Sequence, residues 1–501
     1  MKKNLIIGFI AFFCFTAIIS CKKSFVVVDP KGKTLTENFY KTEADATGAI
    51  IATYDAIRKN SGGFENMITM MNAGSDDHIA GGEGAADGVG IQGFSNYTLN
   101  ATIIPASFWN DHYQGIFRAN ILLEKLPGIA MNAALKSRYE GEAKALRGLY
   151  YFNLVRMYKN IPLILTQLTP LSMREQVQAA PSAIYAQIEA DLMTAKTLLP
   201  VVLPASESGR LSKGAVQALL GKVLLYEGKK TQAAVEFADV NGTPGGTSIY
   251  GYKLLNNFSD LWVVSNRFNT ESIIEVSHTN LSKTGWGNWG QGTDEGNSVC
   301  IMVGPRNYTR PTVSTAPDLQ SGWSFNCITT DLYNAIKLDP RFGATVIDVA
   351  ALKTAGQADY GPGYQNTGYF LNKYCPRKSD VSTAGGNWEL NYQQDSYVMR
   401  LADTYLMEAE ALVPSSRADA LVNAVRARVG LLPITGVTLA DIKLERRLEL
   451  AGEGHRFFDL VRWGDAASKL ASRGFVAGKN EVFPIKSTEL DNTKLVQNPG
   501  Y

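Results

Sequence analysis

A chain of 501 residues, 45% hydrophobic and 10% aromatic, is long and apolar enough to bury a large core, which excludes an intrinsically disordered protein. Its 49 lysines and arginines against 47 acids leave a formal charge of +2, all of it supplied by Lys2 and Lys3 in the first twenty residues. From Cys21 onward the chain is neutral and carries no electrostatic footprint for nucleic acid.

The first expected element is a leader. Lys2 and Lys3 precede an apolar run from Leu5 to Ile19, and this pattern predicts a secretory signal peptide over residues 1–20 rather than a mature membrane span. Ile18, Ile19, Ser20 and Cys21 have the form of a bacterial lipobox, with an aliphatic residue three positions and a small residue one position before the cysteine. Cys21 is therefore the expected lipidation site and residues 21–41 a tether, the acyl chains anchoring the protein through about 0.8 kcal/mol per buried CH₂. Cys300, Cys327 and Cys375 follow in a chain bound for an oxidising compartment. No CxxC spacing exists for a zinc or redox site, and at most one disulfide is open to these three.

From Thr42 to Lys59, Ala46, Ala49, Ile50, Tyr54 and Ile57 recur at helical spacing behind the capping residues Thr42 and Asp45. The glycine-punctuated stretch 60–104 reads as an inserted ligand-side loop, because long irregular segments in compact proteins tend to be functional. Helical periodicity resumes from Pro105 to Leu126 and from Leu135 to Tyr158, and again after Pro181, from an N-cap at Ser212, and over Lys229 to Phe237. Residues 42–241 thus predict a helical scaffold of tetratricopeptide-like pairs, without a strict 34-residue consensus. Residues 242–391 are rich in Gly, Asn, Thr and aromatic residues, with short β-like runs such as Ser272 to His278, and read as a loop-rich ligand-binding region. In residues 392–501 the period predicts helices at Ser396 to Leu412, Ala418 to Val429 and Leu439 to Ala451, completing the scaffold before an extended tail. The expected class is mostly α.

Candidate binding residues lie in the irregular parts. Trp286 and Trp289 sit in GWGNWGQG, between glycines that let a backbone approach a ligand, and an indole offers a sugar an apolar face. Trp323 in SGWSFN and Tyr308 in RNYTRP are of the same type. Asn72, Asp76, Asp77 and His78 form a polar cluster open to two readings, ligand contacts or turn-forming hydrogen bonds; neighbouring side chains cannot all face one ion, so no metal is expected there. The chain has no HExxH, GxSxG, P-loop or strand-borne GxGxxG, so no catalytic residue and no cofactor is expected, although two carboxylates suffice for a glycosidase.

The densest charge lies between Glu445 and Trp463, reading ERRLELAGEGHRFFDLVRW. It is either a catalytic cluster or a bonded network that locks the last helices to the carboxyl-terminal tail, with His455 as a hydrogen-bonded structural residue. This block, with YVMRLADTYLMEAEAL before it and FPIKSTEL and QNPGY after it, resembles the SusD/RagB family of Bacteroidetes outer-membrane lipoproteins. The SDD loop, the AKALRGLYYFNLVRMY segment and the lipobox fit as well, while Lys22 and Lys23 stand where an acidic run is common and FPIK replaces FPIP. The resemblance implies four helix pairs carrying an irregular ligand surface. It further implies a surface lipoprotein that captures oligosaccharides without catalysis for a SusC-type TonB-dependent transporter. Peptide capture is the alternative within the family; a lipid-anchored glycan-active enzyme and a docking scaffold are the alternatives outside it.

Overall fold

The structure is a computed structural model describing residues 39–501; the leader, Cys21 and all but the last three residues of the expected tether lie outside the described residues. Helix α1 (Glu43–Tyr54) opens on a capping box, in which Thr42 Oγ1 accepts from the Asp45 N–H while the Asp45 carboxylate accepts from the Thr42 N–H. Two short helices, α2 (Met67–Ala73) and α3 (Val89–Ser95), interrupt the stretch that the sequence presents as a loop. All seven residues of α2 are buried, so no amphipathic stripe marks it in the sequence.

The scaffold follows as α4 (Ser107–Lys125), α5 (Ala133–Tyr158), α6 (Pro181–Leu198), α7 (Lys213–Tyr226) and α8 (Lys230–Asn241). It resumes with α9 (Leu401–Leu412), α10 (Ser416–Arg428), α11 (Leu439–Glu449) and α12 (Arg456–Trp463). From α4 to α10 each helix lies against the next in chain order, so α9 continues the stack from α8 although some 160 residues separate them in sequence. Small residues set the crossings: a Cβ added to Gly221 on α7 would stand 2.8 Å from the Phe237 ring on α8. One hydrophobic core runs through the stack and takes in Ile273, Ile301, Met302 and Phe325 of the irregular region, which is therefore welded to the scaffold rather than tethered to it.

The strands are short. β1 (Ile161–Pro162) pairs with β2 (Gln178–Ala179), β3 (Ser272–Val276) with β6 (Ser396–Arg400), and β4 (Val346–Asp348) with β5 (Tyr369–Leu371), all antiparallel. β6 corrects the sequence expectation of a helix beginning at Ser396. Its backbone pairs with β3, and the helix starts at Leu401, where that partner ends. Cys300, Cys327 and Cys375 are buried free thiols, so no disulfide joins them. Within the described residues no group of His, Cys, Asp and Glu could hold a metal ion.

Candidate functional site

The charge-dense stretch from Glu445 to Trp463 faces inward. Arg400 at the end of β6 is fully buried and donates to Glu271 Oε1 (2.8 Å), Glu449 Oε1 (2.6 Å) and Glu453 Oε2 (2.8 Å). Arg341 reaches Glu445 (2.6 Å) and Glu449 (3.0 Å), and Arg446 joins Asp403 (2.8 Å) to Asp459 (3.0 Å). Burial alone would raise the Glu449 carboxyl, but Arg428, Arg400 and Arg341 hold it well below the usual carboxylate range. Burial and the nearby Lys222 push His455 down to about 4, and its Nε2 has no hydrogen-bond partner, so it is a desolvated neutral ring rather than a bonded one. These carboxylates are consumed by guanidinium groups and do not face a substrate. The network ties α11 and α12 to α9, β6 and the irregular region. The tail is held elsewhere, by Asn498 Nδ2 donating to Tyr158 O on α5 (3.0 Å).

The same network absorbs the polar cluster after α2. Buried Asn72 donates to Gly452 O (2.9 Å) and accepts from the Gly454 N–H (3.0 Å). Asp76 takes a bidentate pair from Arg456, both bonds 2.8 Å, and Asp77 accepts from Arg447 Nε (2.7 Å). Burial pushes the Asp77 carboxyl up and the His78 ring down to about 3, the latter with help from Arg473, which donates to the His78 carbonyl (2.8 Å). The expectation that Asn72, Asp76, Asp77 and His78 contact a ligand is corrected by this placement, since their polar atoms are spent on, or shut in by, the carboxyl-terminal segment. Tyr308 is likewise buried, in a separate cluster with Leu319 and Phe370, its hydroxyl donating to Pro317 O (2.7 Å).

The three expected tryptophans converge. The ring of Trp286 lies 6.0 Å from that of Trp323 at 24°, and Trp289 meets both edge-on at 5.6 Å. Trp286 is 54% exposed and the other two half-buried, so the trio forms an apolar shelf open to solvent. Aromatic shelves of this kind are seldom left bare on a soluble surface without a ligand role.

Local chemistry explains the shelf. Gly285 N–H donates to Asn288 Oδ1 (2.8 Å), Asn288 N–H to Gly285 O (3.1 Å), and the Gly290 N–H to Asp294 Oδ2 (2.8 Å), so the loop is a chain of turns closed by one buried acid. Gly290 has φ +73°, and a Cβ added to Gly63 would stand 3.1 Å from its Cα; only glycines allow the two loops to come this close. Beneath, Phe64 contacts Trp289 at 5.9 Å and Phe325 at 5.2 Å. Trp289 Nε1 donates to Ser298 Oγ (2.8 Å), which satisfies the indole's polar end and fixes the ring. Trp323 is held by its N–H to Ile301 O (2.9 Å).

Sequence reasoning missed the polar rim. Arg306 Nη2 donates to Trp323 O (3.3 Å), and its guanidinium lies 3.6 Å from Glu83 and 3.8 Å from Asp87. The segment after α2 therefore does reach the shelf, through Gly81 to Asp87 rather than through Asn72 to His78, with the Gly82 N–H donating to Ser324 O (2.8 Å). The glycine punctuation that marks 60–104 as a ligand-side loop takes in this segment but singles out neither Glu83 nor Asp87.

Two family models match the chain: the SusD family over residues 271–501, and a family described as starch-binding and associating with the outer membrane over residues 88–225. The chain is 59% identical to a solved laminarin-binding SusD-like protein, with a TM-score of 0.91 over 92% of this chain and 100% of that one. It is 26% identical to SusD-like protein P25 of Formosa agariphila, over 92% of this chain and 90% of the relative. The fold also matches surface glycan-binding protein A from Bacteroides thetaiotaomicron, solved in complex with laminarihexaose, at a TM-score of 0.80 and 24% identity over 91% of this chain and 100% of that one.

Proposed function

The chain belongs to the SusD/RagB family, and from that membership we propose that it captures oligosaccharides of the laminarin type on the shelf of Trp286, Trp289 and Trp323. The observation that carries this reading is the convergence of three indoles within 6.0 Å of one another on an open surface. Their faces supply apolar contact to the CH-rich faces of a sugar chain. Arg306, Glu83 and Asp87 at the rim supply hydrogen bonds to its hydroxyls. The protein is a glycan binder of the outer-membrane surface and works without catalysis. Lipid on Cys21 anchors it to the outer membrane facing outward, and a SusC-type TonB-dependent transporter receives the captured chain.

Calorimetry of the protein against laminarihexaose tests the reading, with sugar release followed in the same samples. Saturable binding without released sugar is the expected result. Silence towards glucans with saturable peptide binding would overturn the ligand class, and released sugar would overturn the binding-only role.

A further inference from the structure

A second cleft, of about 670 Å³, opens beside the tryptophan loop, a size suited to a small ligand. Its floor is the outer face of α1, its far wall the turn from Ser206 to Arg210, and its near wall the loop at Gly292 and Glu295, three and six residues beyond Trp289. The guanidinium groups that line it are already matched, while Glu275 and Glu295 on its walls form no ion pair among the described residues. Asp55 pairs with Arg58 (3.2 Å) and Arg118 (2.7 Å), and Arg210 pairs with Glu142 (2.9 Å) and Glu207 (3.5 Å). An anion would have to break one of these pairs and would meet two further acids, whereas a neutral polyol can donate to the carboxylates and accept from the guanidinium groups without displacing either. At the lip, Ile51 is 60% exposed and stands one turn from Tyr54, which offers apolar surface to a ring.

The cleft and the shelf are joined through one turn. Arg58 lines the cleft and donates through Nη1 to Gly290 O (3.0 Å) in the tryptophan loop. A Cβ added to Gly292 would lie 3.6 Å from the Asp55 carboxylate, so the tryptophan loop comes into ordinary contact range of an acid that lines the cleft. We propose that this cleft is a second saccharide subsite, filled by the continuation of an oligosaccharide already held on the tryptophan shelf. The inference rests on the glycan reading above.

Ser208 is exposed on the far wall, where a tryptophan would fill the cleft without entering the core. Affinity for laminaritriose and for laminarihexaose is measured by calorimetry on the unaltered protein, Ser208→Trp, Ile51→Asp and Trp286→Ala, with melting temperature recorded for each. The expected result is that Ser208→Trp and Ile51→Asp weaken hexasaccharide binding at least fivefold, leave trisaccharide binding unchanged and melt normally. Unchanged affinity for both lengths in the two cleft variants overturns the second subsite. An equal loss for both lengths overturns it as well, because the cleft would then be the primary site. Trp286→Ala separates the two readings: loss at both lengths upholds the shelf whatever the cleft variants do, and no loss at either length removes the shelf itself.

Discussion

At the residue scale the site turns on how each indole is held. Trp286 is held only by its ring neighbours and is the most exposed of the three, so in the proposed site it would contribute contact area alone. Trp286→Ala is expected to weaken laminarihexaose binding by about 1–3 kcal/mol, as truncation of an aromatic hot spot does, with an unchanged melting temperature. Trp289 differs because Ser298 fixes its nitrogen and Phe64 supports its face. Trp289→Phe keeps an aromatic ring but removes that anchor, and it is expected to cost binding about 1 kcal/mol, read as a raised Kd without a change in stoichiometry. Trp286 and Trp289 were legible in the sequence because glycines flank them. The joining of Trp323 was legible by residue type alone. Arg306, Glu83 and Asp87 were not legible, because contacts between segments more than 200 residues apart bring them to the rim.

At the element scale, the long helices were read correctly wherever a cap and a 3.6-residue stripe coincide, as at Thr42 for α1 and Ser212 for α7. What failed were elements whose surroundings, not their own pattern, decide them. α2 is buried all round, and β6 borrows its conformation from β3. The turn after α2 failed differently: its three consecutive polar residues Asp76, Asp77 and His78 suggested an exposed loop, while their partners lie on α11, on α12 and at Arg473. Arg456→Ala strands the largely buried Asp76 and is expected to lower stability by about 3 kcal/mol, measured by denaturant unfolding, while the folded fraction keeps its glucan affinity. In the tryptophan loop the balance reverses. Gly290→Ala forces a side chain into positive φ at a surface turn, so it is expected to cost about 1 kcal/mol of stability yet abolish most of the binding by displacing Trp289.

At the scale of the whole molecule, all four histidines are desolvated: His78 is pushed to about 3, and His112, His278 and His455 to about 4. A folded-state value below the unfolded value of about 6.5 means that the unfolded chain binds more protons between the two, so stability is complete above that pH and is lost as pH falls. Glu275 works in the opposite sense, since burial lifts its carboxyl to about 8, and the raised carboxyls of Asp77, Glu142 and Asp294 act the same way, so the effect of the four histidines is offset in part. Melting temperature is therefore expected to fall steadily from pH 6.5 to pH 4, well before bulk protonation of the exposed acids. A flat profile over that interval would contradict the neutral buried histidines.

The ion pairs between the turn after α2 and the carboxyl-terminal helices also set an order of events. Asp77 and Arg447 are 370 residues apart, Asp76 and Arg456 are 380 apart, and Arg473 reaches back 395 residues to the carbonyl of His78. While the chain is being made or threaded, the amino-terminal third holds acids and carbonyls whose partners do not yet exist, and burying them alone would cost several kcal/mol. The tryptophan shelf rests on that third through Phe64 and Gly63 and on the middle through Ser298, so it forms only once both are seated. The last helices thus close the fold: the amino-terminal third that supports the tryptophan shelf has its buried acids paired only once the final segments are in place.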